Sequence, residues 1–524
     1  MKRKAIITNR KSLLYFINRR NLFSGILLLL LFIFNDVHAQ KLDTSINRVK
    51  TDFKIDLPLI GSVKARSTNE IGSSNWMIGC ETLDRDYTDY DQYKDYLVPL
   101  GIKLLRMQGG WAKTEKVKGQ YDFAWLDHII NDAVSKGLKP WLQTSYGNAL
   151  YPGGGGVNLG AGMPLSKEAL MGYDKWVTAM VTRYKDKVFD WEVWNEPNFG
   201  DNIVNTPEIA ADFNIRTAQI IKKIQPNARI SCLAMGHHHY DYIEVFLKHI
   251  AKKRKAHLFD NMTYHDYVYN PDANNHIIFE MRLLLDKYAP KIKLRQGENG
   301  APSLNGFGRG ALGDYDWTEL SQAKWDTRRM LGNLGHDVES SLFAIIDMAY
   351  TNGPIRSLNV KGILQSDSTK KVIKPKIAYY SVQNVASVFD NTLERIKPLE
   401  PSYNIAGAGP DQHCYSKGTD RSLAVYGYRD KATKKQLYTI WIDDYIPLNT
   451  NETRQLTLSF TNADFDTPVY VDIITGGVYE IPASSWSKKG NTYTFKNIPV
   501  YDAPILIAEK SLIKISEVKT KDNH

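Results

Sequence analysis

Eight short apolar runs, alternating with amphipathic helical stretches, limit most strongly what this chain can fold into. The runs lie at residues 76–79, 103–107, 139–143, 189–194, 229–234, 261–265, 292–296 and 341–346. Helical periodicity fills the intervals at 121–136, 166–184, 209–224, 275–288, 319–334 and 376–389. A strand followed by a helical crossover places the next strand parallel to it, so the pattern predicts α/β structure. Eight such units in about 315 residues fit a (β/α)8 TIM barrel with long loops.

Past residue 391 the pattern changes to strands at 422–428, 435–442, 454–460, 468–474, 492–495 and 503–508, separated by Gly, Asn and Asp turns. Short strands at this spacing predict a C-terminal antiparallel β-sandwich domain. At 524 residues the chain is long enough for two folded domains. The expected plan is a targeting segment over 1–39, a catalytic barrel over 76–392, a β-sandwich over 393–515 and a polar tail over 516–524. Residues 40–75 are polar and irregular, a segment that could pair with the sandwich.

Lys2, Arg3, Lys4, Arg10, Lys11, Arg19 and Arg20 precede an apolar run from Gly25 to Phe34, and small residues follow up to Ala39. That order predicts a signal peptide cut after Ala39, hence an exported protein, periplasmic or secreted. The run falls short of the ~20 apolar residues that cross a bilayer, so no stable membrane anchor is expected after cleavage. Cleavage removes seven basic residues and one acidic residue, and the formal charge falls from +10 to +4. With no basic block interleaved with aromatics in the mature chain, nothing predicts nucleic-acid binding. Cys80, Cys232 and Cys414 allow one disulfide at most and form no metal-ligand pattern. Aromatic residues make up 11% of the chain, which suits either a surface that stacks sugar rings or simply a large core beside a β-rich domain.

In a TIM barrel, functional groups project from the C-terminal ends of the strands onto one rim. The fourth run ends in Asn195-Glu196-Pro197-Asn198 and the seventh in Gly297-Glu298-Asn299-Gly300. Two glutamates therefore face one cleft. Glycoside hydrolysis uses such a pair, one protonating the leaving oxygen and the other attacking the anomeric carbon or activating water. The plainer alternative makes each glutamate a solvated loop residue.

The segment Trp194-Asn195-Glu196-Pro197-Asn198 resembles the acid/base segment of clan A glycoside hydrolases, retaining enzymes built on this barrel. The resemblance implies Glu196 as acid/base, Glu298 as nucleophile, and Asn195 as donor to the sugar 2-hydroxyl. It also implies Arg106, His265 and Tyr267 as groups beside the nucleophile. Within the clan, the two-domain plan, His265-Asp266-Tyr267 and the ending Tyr501-Asp502-Ala503-Pro504 are most similar to family 39 or a neighbour of β-xylosidase, α-iduronidase and β-galactosidase type. The segment Arg295-Gln296-Gly297-Glu298-Asn299-Gly300 lacks the Thr-Glu-Trp/Phe expected of that family, so a substrate specificity is not implied.

Other residues carry weaker signals. Tyr146, Asn148 and Tyr151 belong to a glycine-rich loop that either lines the cleft or merely connects. Trp111 is either a stacking platform or loop packing, and Asp347 either reaches a sugar hydroxyl or caps its loop. Glu81, Asp84 and Gln108 stand near strand ends as candidate subsite residues. His237-His238-His239 invites a metal, but consecutive side chains diverge and no acidic partner stands at helical spacing, so His237 is read as a sugar ligand. No cofactor or metal is called for. The leading expectation is an exported retaining glycosidase acting on a β-linked poly- or oligosaccharide. Its rivals are a non-catalytic carbohydrate-binding protein on a degenerate barrel and metal-assisted hydrolysis at the histidines.

Overall fold

Burial on both faces makes the barrel strands. The first reads Trp-Met-Ile-Gly and is wholly buried, and the third, Lys-Pro-Trp-Leu-Gln, exposes only Lys139. The computed structural model describes residues 42–43, 45, 48–199, 205–306, 309–351, 357–406 and 422–517. After β1 (Leu59–Val63) come β2 (Trp76–Gly79), β3 (Leu104–Gln108), β4 (Lys139–Gln143), β5 (Asp190–Glu192), β6 (Arg229–Met235), β7 (Asn261–His265), β8 (Lys293–Asn299) and β9 (Glu339–Leu342). Strands β2 to β9 close in chain order into a parallel barrel, with β2 paired to β9. This is the TIM barrel that the alternating pattern predicts.

The crossovers are α1 (Tyr90–Leu100), α2 (Ala124–Ser135), α3 (Lys167–Tyr184), α4 (Pro207–Ile224), α5 (Tyr240–Lys252), α6 (Asn275–Tyr288), α7 (Glu319–Gly335) and α8 (Ile377–Val388). Local chemistry starts them where they start. The Ser166 hydroxyl accepts from the Ala169 N–H at α3, and Thr206 accepts from Ile209 ahead of Pro207 at α4, satisfying donors that have no partner inside the helix. Helix α7 is buried on nearly every side, and its charges are paired accordingly: Lys324 with Asp502 at 2.6 Å, Arg328 with Asp272 at 2.7 Å and Arg329 with Asp266 at 2.5 Å.

Two strand ends differ from expectation in ways that matter for the site. The fourth strand ends at Glu192 rather than residue 194, because Trp194 and Glu196 adopt positive φ of 64° and 48°, outside the extended range. The seventh strand runs on to Asn299, so Glu298 lies within it rather than after it.

The C-terminal region is antiparallel, as predicted. One sheet orders Leu393–Arg395, Leu423–Asp430, Gln436–Ile442, Ile505–Glu509, Pro468–Asp472, Gly477–Glu480, β1 and Ile515–Glu517; a second orders Ser402–Ile405, Arg454–Thr461, Thr492–Val500 and Trp486–Lys489. Thus β1, from the N-terminal segment, pairs antiparallel with Gly477–Glu480 and Ile515–Glu517. Leu456, Leu458 and Phe460 are buried on one face of their strand, and Phe460 stacks on Tyr438 with ring centroids 3.7 Å apart. Residues 40–524 form one compact unit. The segment 1–39, Cys414 and the tail beyond residue 517 lie outside the described residues; Cys80 and Cys232 are buried and free. Among the described residues no helix is long and apolar enough to cross a membrane.

Candidate active site

The barrel rim is organised by Arg106, which has no exposed surface at all. Its Nε donates to Glu192 at 2.8 Å. Nη1 donates to Glu81 at 2.6 Å and to Glu298 at 2.9 Å, while Nη2 donates to Asn195 Oδ1 at 2.8 Å and faces His265 Nε2 at 3.1 Å. A guanidinium has five N–H groups and no acceptor, so these five contacts use it fully. The same count fixes His265. Its Nε2 must accept from Arg106, which leaves the proton of a neutral ring on Nδ1, 2.9 Å from Glu196 Oε1 and 3.6 Å from Glu298 Oε2.

Glu196 and Glu298 therefore meet across His265, with the nearest ligand atoms of the three residues all within 4.8 Å of one another. Their surroundings differ. Glu298 receives Tyr267 Oη–H at 2.7 Å on one oxygen and Arg106 on the other. Glu196 receives only His265, and its Oε2 has no hydrogen-bond partner among the described residues. Asn195, between Arg106 and the cleft, donates to Tyr146 Oη at 2.8 Å.

The electrostatics follow from this geometry. Burial pushes the Glu298 carboxyl up, but nearby positive charge and the hydrogen bonds from Tyr267 and Arg106 hold it below its ordinary range. Glu81 has the same arginine, yet burial dominates and its pKa rises to about 8, with the Glu298 and Glu192 charges adding to the rise. Burial likewise pushes Tyr267 well above its usual value, so its hydroxyl stays a donor.

Glu196 and Glu298 open onto a cavity of about 450 Å³ whose other walls include Tyr267, His237, Phe199 and Phe343. Arg106, Asn195, His265 and Tyr267, predicted from sequence, thus gather around the two glutamates, and His237 stands at the cavity rim. Tyr146 is buried and holds Asn195 instead of lining the cleft. Gln108 is buried and accepts from the Thr82 N–H at 2.8 Å. Glu81 proves to be a partner of Arg106, and Asp84 pairs with Arg85 at 3.2 Å.

Trp111, Asn148 and Asp347 are likewise held by protein neighbours. Trp111 is fully buried, packed against Tyr151 and Trp176, with its Nε1–H on Glu115. Asn148 is buried and donates to the Glu115 carbonyl at 2.8 Å, and Tyr151 donates to the Glu115 carboxylate at 2.6 Å, so the glycine-rich loop is tied to Glu115. Asp347 is buried against Lys376 at 2.7 Å and accepts the Gly362 and Ser366 N–H groups, which is loop capping. Among the described residues the group of His, Cys, Asp and Glu near enough to share an ion is Glu196, His265 and Glu298; His237, His238 and His239 are not part of it.

Sequence reading missed Glu192, which binds Arg106, Gln143 at 2.6 Å and the Thr263 hydroxyl at 2.5 Å. The signal was there: a carboxylate set between Trp191 and Val193, four positions before Glu196. It also missed Lys361, a buried cation on the cavity wall.

Residues 63–294 match the family model of glycosyl hydrolases family 39, a match that stops short of Glu298. Solved structures share the fold at low identity. A family 39 glycoside hydrolase from the gut symbiont Bacteroides cellulosilyticus superposes with a TM-score of 0.58 at 16% identity, covering 86% of this chain and 83% of that one. The family 39 enzyme from Xanthomonas axonopodis pv. citri gives 0.53 at 14% identity, with 85% and 95% covered. A monomeric β-xylosidase from Caulobacter crescentus gives 0.50 at 15%, with 86% and 98% covered. Over residues 63–294 the chain is thus similar to glycosyl hydrolases family 39, and the barrel with its paired glutamates agrees with that likeness.

Proposed function

We propose that the protein is an exported retaining glycosidase that cleaves β-linked O-glycosidic bonds of a poly- or oligosaccharide by double displacement. The observation that carries this reading is the short span between Glu196 and Glu298, whose nearest oxygens lie within 4.8 Å. Retention uses carboxyl groups ~5–5.5 Å apart, whereas inversion needs ~6.5–9.5 Å to fit a water between them.

Glu298, held ionised by Arg106 and Tyr267, attacks the anomeric carbon while Glu196 gives its proton to the departing oxygen, and the glycosidic bond breaks. The sugar is then esterified to Glu298. Glu196, now a carboxylate, takes a proton from water as that water attacks the same carbon and frees Glu298. His265 orients Glu196 through Oε1, which leaves Oε2 to carry the transferred proton. Asn195 is the donor toward the sugar 2-hydroxyl, its carbonyl being fixed by Arg106. The export step rests on the N-terminal sequence, and an exported form beginning at Gln40 is expected on N-terminal sequencing.

Glu298→Gly should abolish turnover of aryl glycosides, and azide should restore it by forming a glycosyl azide of inverted anomeric configuration. A Glu298→Gly protein that keeps wild-type turnover, or one that azide fails to rescue on an activated substrate, would count against the nucleophile assignment.

A further inference from the structure

Lys361 stands in the loop after β9, on the wall of the cavity that holds Glu196 and Glu298. It is only 2% exposed, and its Nζ has neither a hydrogen-bond nor an ion-pair partner among the described residues. Other buried lysines of this protein are fully engaged. Lys376 Nζ binds Asp347, Ser303 Oγ and the Val360 carbonyl, and Lys324 Nζ binds Asp502 and the Thr450 carbonyl. The Lys361 Nζ lies 5.6 Å from the centroid of the Tyr267 ring, whose hydroxyl holds Glu298. An unpaired ammonium taken out of water costs several kcal/mol, so a structural lysine here would be expected to find a partner. Burial in fact draws its pKa from 10.5 down to about 7, against the opposing pull of Glu298 and Asp326.

Among the described residues, the other cation beside the two glutamates is not free for a ligand. Arg106 spends all five N–H groups on protein acceptors. A negatively charged sugar entering beside Glu298 and Glu196 would be repelled unless a positive group met it. Neutral hydroxyls need no buried ammonium. We propose that Lys361 is a specificity residue that pairs with an anionic substituent, a carboxylate or a sulfate ester, on the sugar bound in this cleft. The substrate class is then acidic glycosides. This inference rests on the reading of the cleft as a glycosidase site and deepens it.

The test is calorimetric binding of matched sugars to the full-length mature protein: D-glucuronate and D-galacturonate, glucose 6-sulfate and galactose 6-sulfate, each against its neutral parent. At least one acidic sugar should bind about tenfold more tightly than its parent, a difference of ~1.4 kcal/mol. Lys361→Met, which keeps the stem and removes only the unpaired ammonium, should erase the preference, and Lys361→Gln gives a second variant should the first fold poorly. Preference confined to the uronates or to the sulfates assigns the anion. Absence of any acidic preference, or its survival in the folded variants, overturns the proposal. Retaining hydrolysis of a neutral aryl glycoside by a protein with no acidic preference would overturn this inference alone and leave the double-displacement reading standing.

Discussion

Two carboxyl groups share one guanidinium nitrogen, yet Glu81 and Glu298 end on opposite sides of the ordinary carboxylate range. Glu298 has Tyr267 as a second donor, whereas Glu81 Oε2 is buried with no partner. A carboxyl whose folded pKa is about 8 against an ordinary 4.5 binds more protons folded than unfolded, so it loses the protein stability as pH rises through that window. Glu81→Gln cannot ionise. Its melting temperature relative to wild type should therefore climb between pH 5 and pH 8, and a flat difference in scanning calorimetry would show that Glu81 does not titrate there. Glu196→Ala should cost a substrate with a poor leaving group on the order of 10²–10⁴ in rate, and an activated dinitrophenyl glycoside far less. Equal losses on both would remove Glu196 from proton transfer. At this scale the sequence was informative where a side chain must lie at the end of a strand: Glu196, Glu298, Arg106 and His265 converge. It was uninformative about direction. Trp111, Asn148 and Asp347 occupy rim positions but point into packing, and nothing in the string distinguishes a rim residue that faces the cleft from one that props it.

The loop after β5 depends on its neighbour after β6. The Gly236 N–H donates to Asn198 Oδ1 at 3.0 Å, and the Asn198 amide returns a bond to the Gly236 carbonyl. A methyl at Gly236 would stand 2.7 Å from Glu196 Cδ and closer still to the Phe199 ring. Gly236→Ala should thus displace Glu196. Activity on poor leaving groups should drop at least tenfold while the melting temperature moves by a few degrees at most, and undiminished activity would show that the loop yields without moving the carboxyl. The barrel strands were legible in number because they are buried on both faces, although the eighth, expected over 341–346, lies at Glu339–Leu342, where Glu-Ser-Ser gives no apolar run and the apolar residues 343–346 follow the strand. The strands Gly477–Glu480 and Trp486–Lys489 were not legible, because only the first two residues of the former are buried and none of the latter. Where the fourth strand ended short, the left-handed turns at Trp194 and Glu196 were the reason, and periodicity carries no record of a backbone angle.

At the scale of the whole molecule, barrel and sandwich share buried charges through α7. Arg328 Nη1 donates to the Tyr445 carbonyl at 3.0 Å, and Lys324 is paired with Asp502 where both side chains are at most 1% exposed. Removing one member of such a pair leaves the other uncompensated, at a cost of about 3–5 kcal/mol. Asp502→Ala should lower the unfolding free energy from denaturant titration by that amount in a single transition, with turnover per folded molecule unchanged. Two separated transitions would mean that the sandwich unfolds independently of the barrel. This coupling was not visible in sequence, where 319–334 reads only as one more helical stretch of the barrel and nothing marks the partners of its charges. Glu196 and Glu298 divide one reaction between them. The direct measurement is proton NMR of the first-formed sugar from an aryl β-glycoside, recorded before mutarotation. The β-anomer is predicted; the α-anomer as the initial product would contradict double displacement at Glu298.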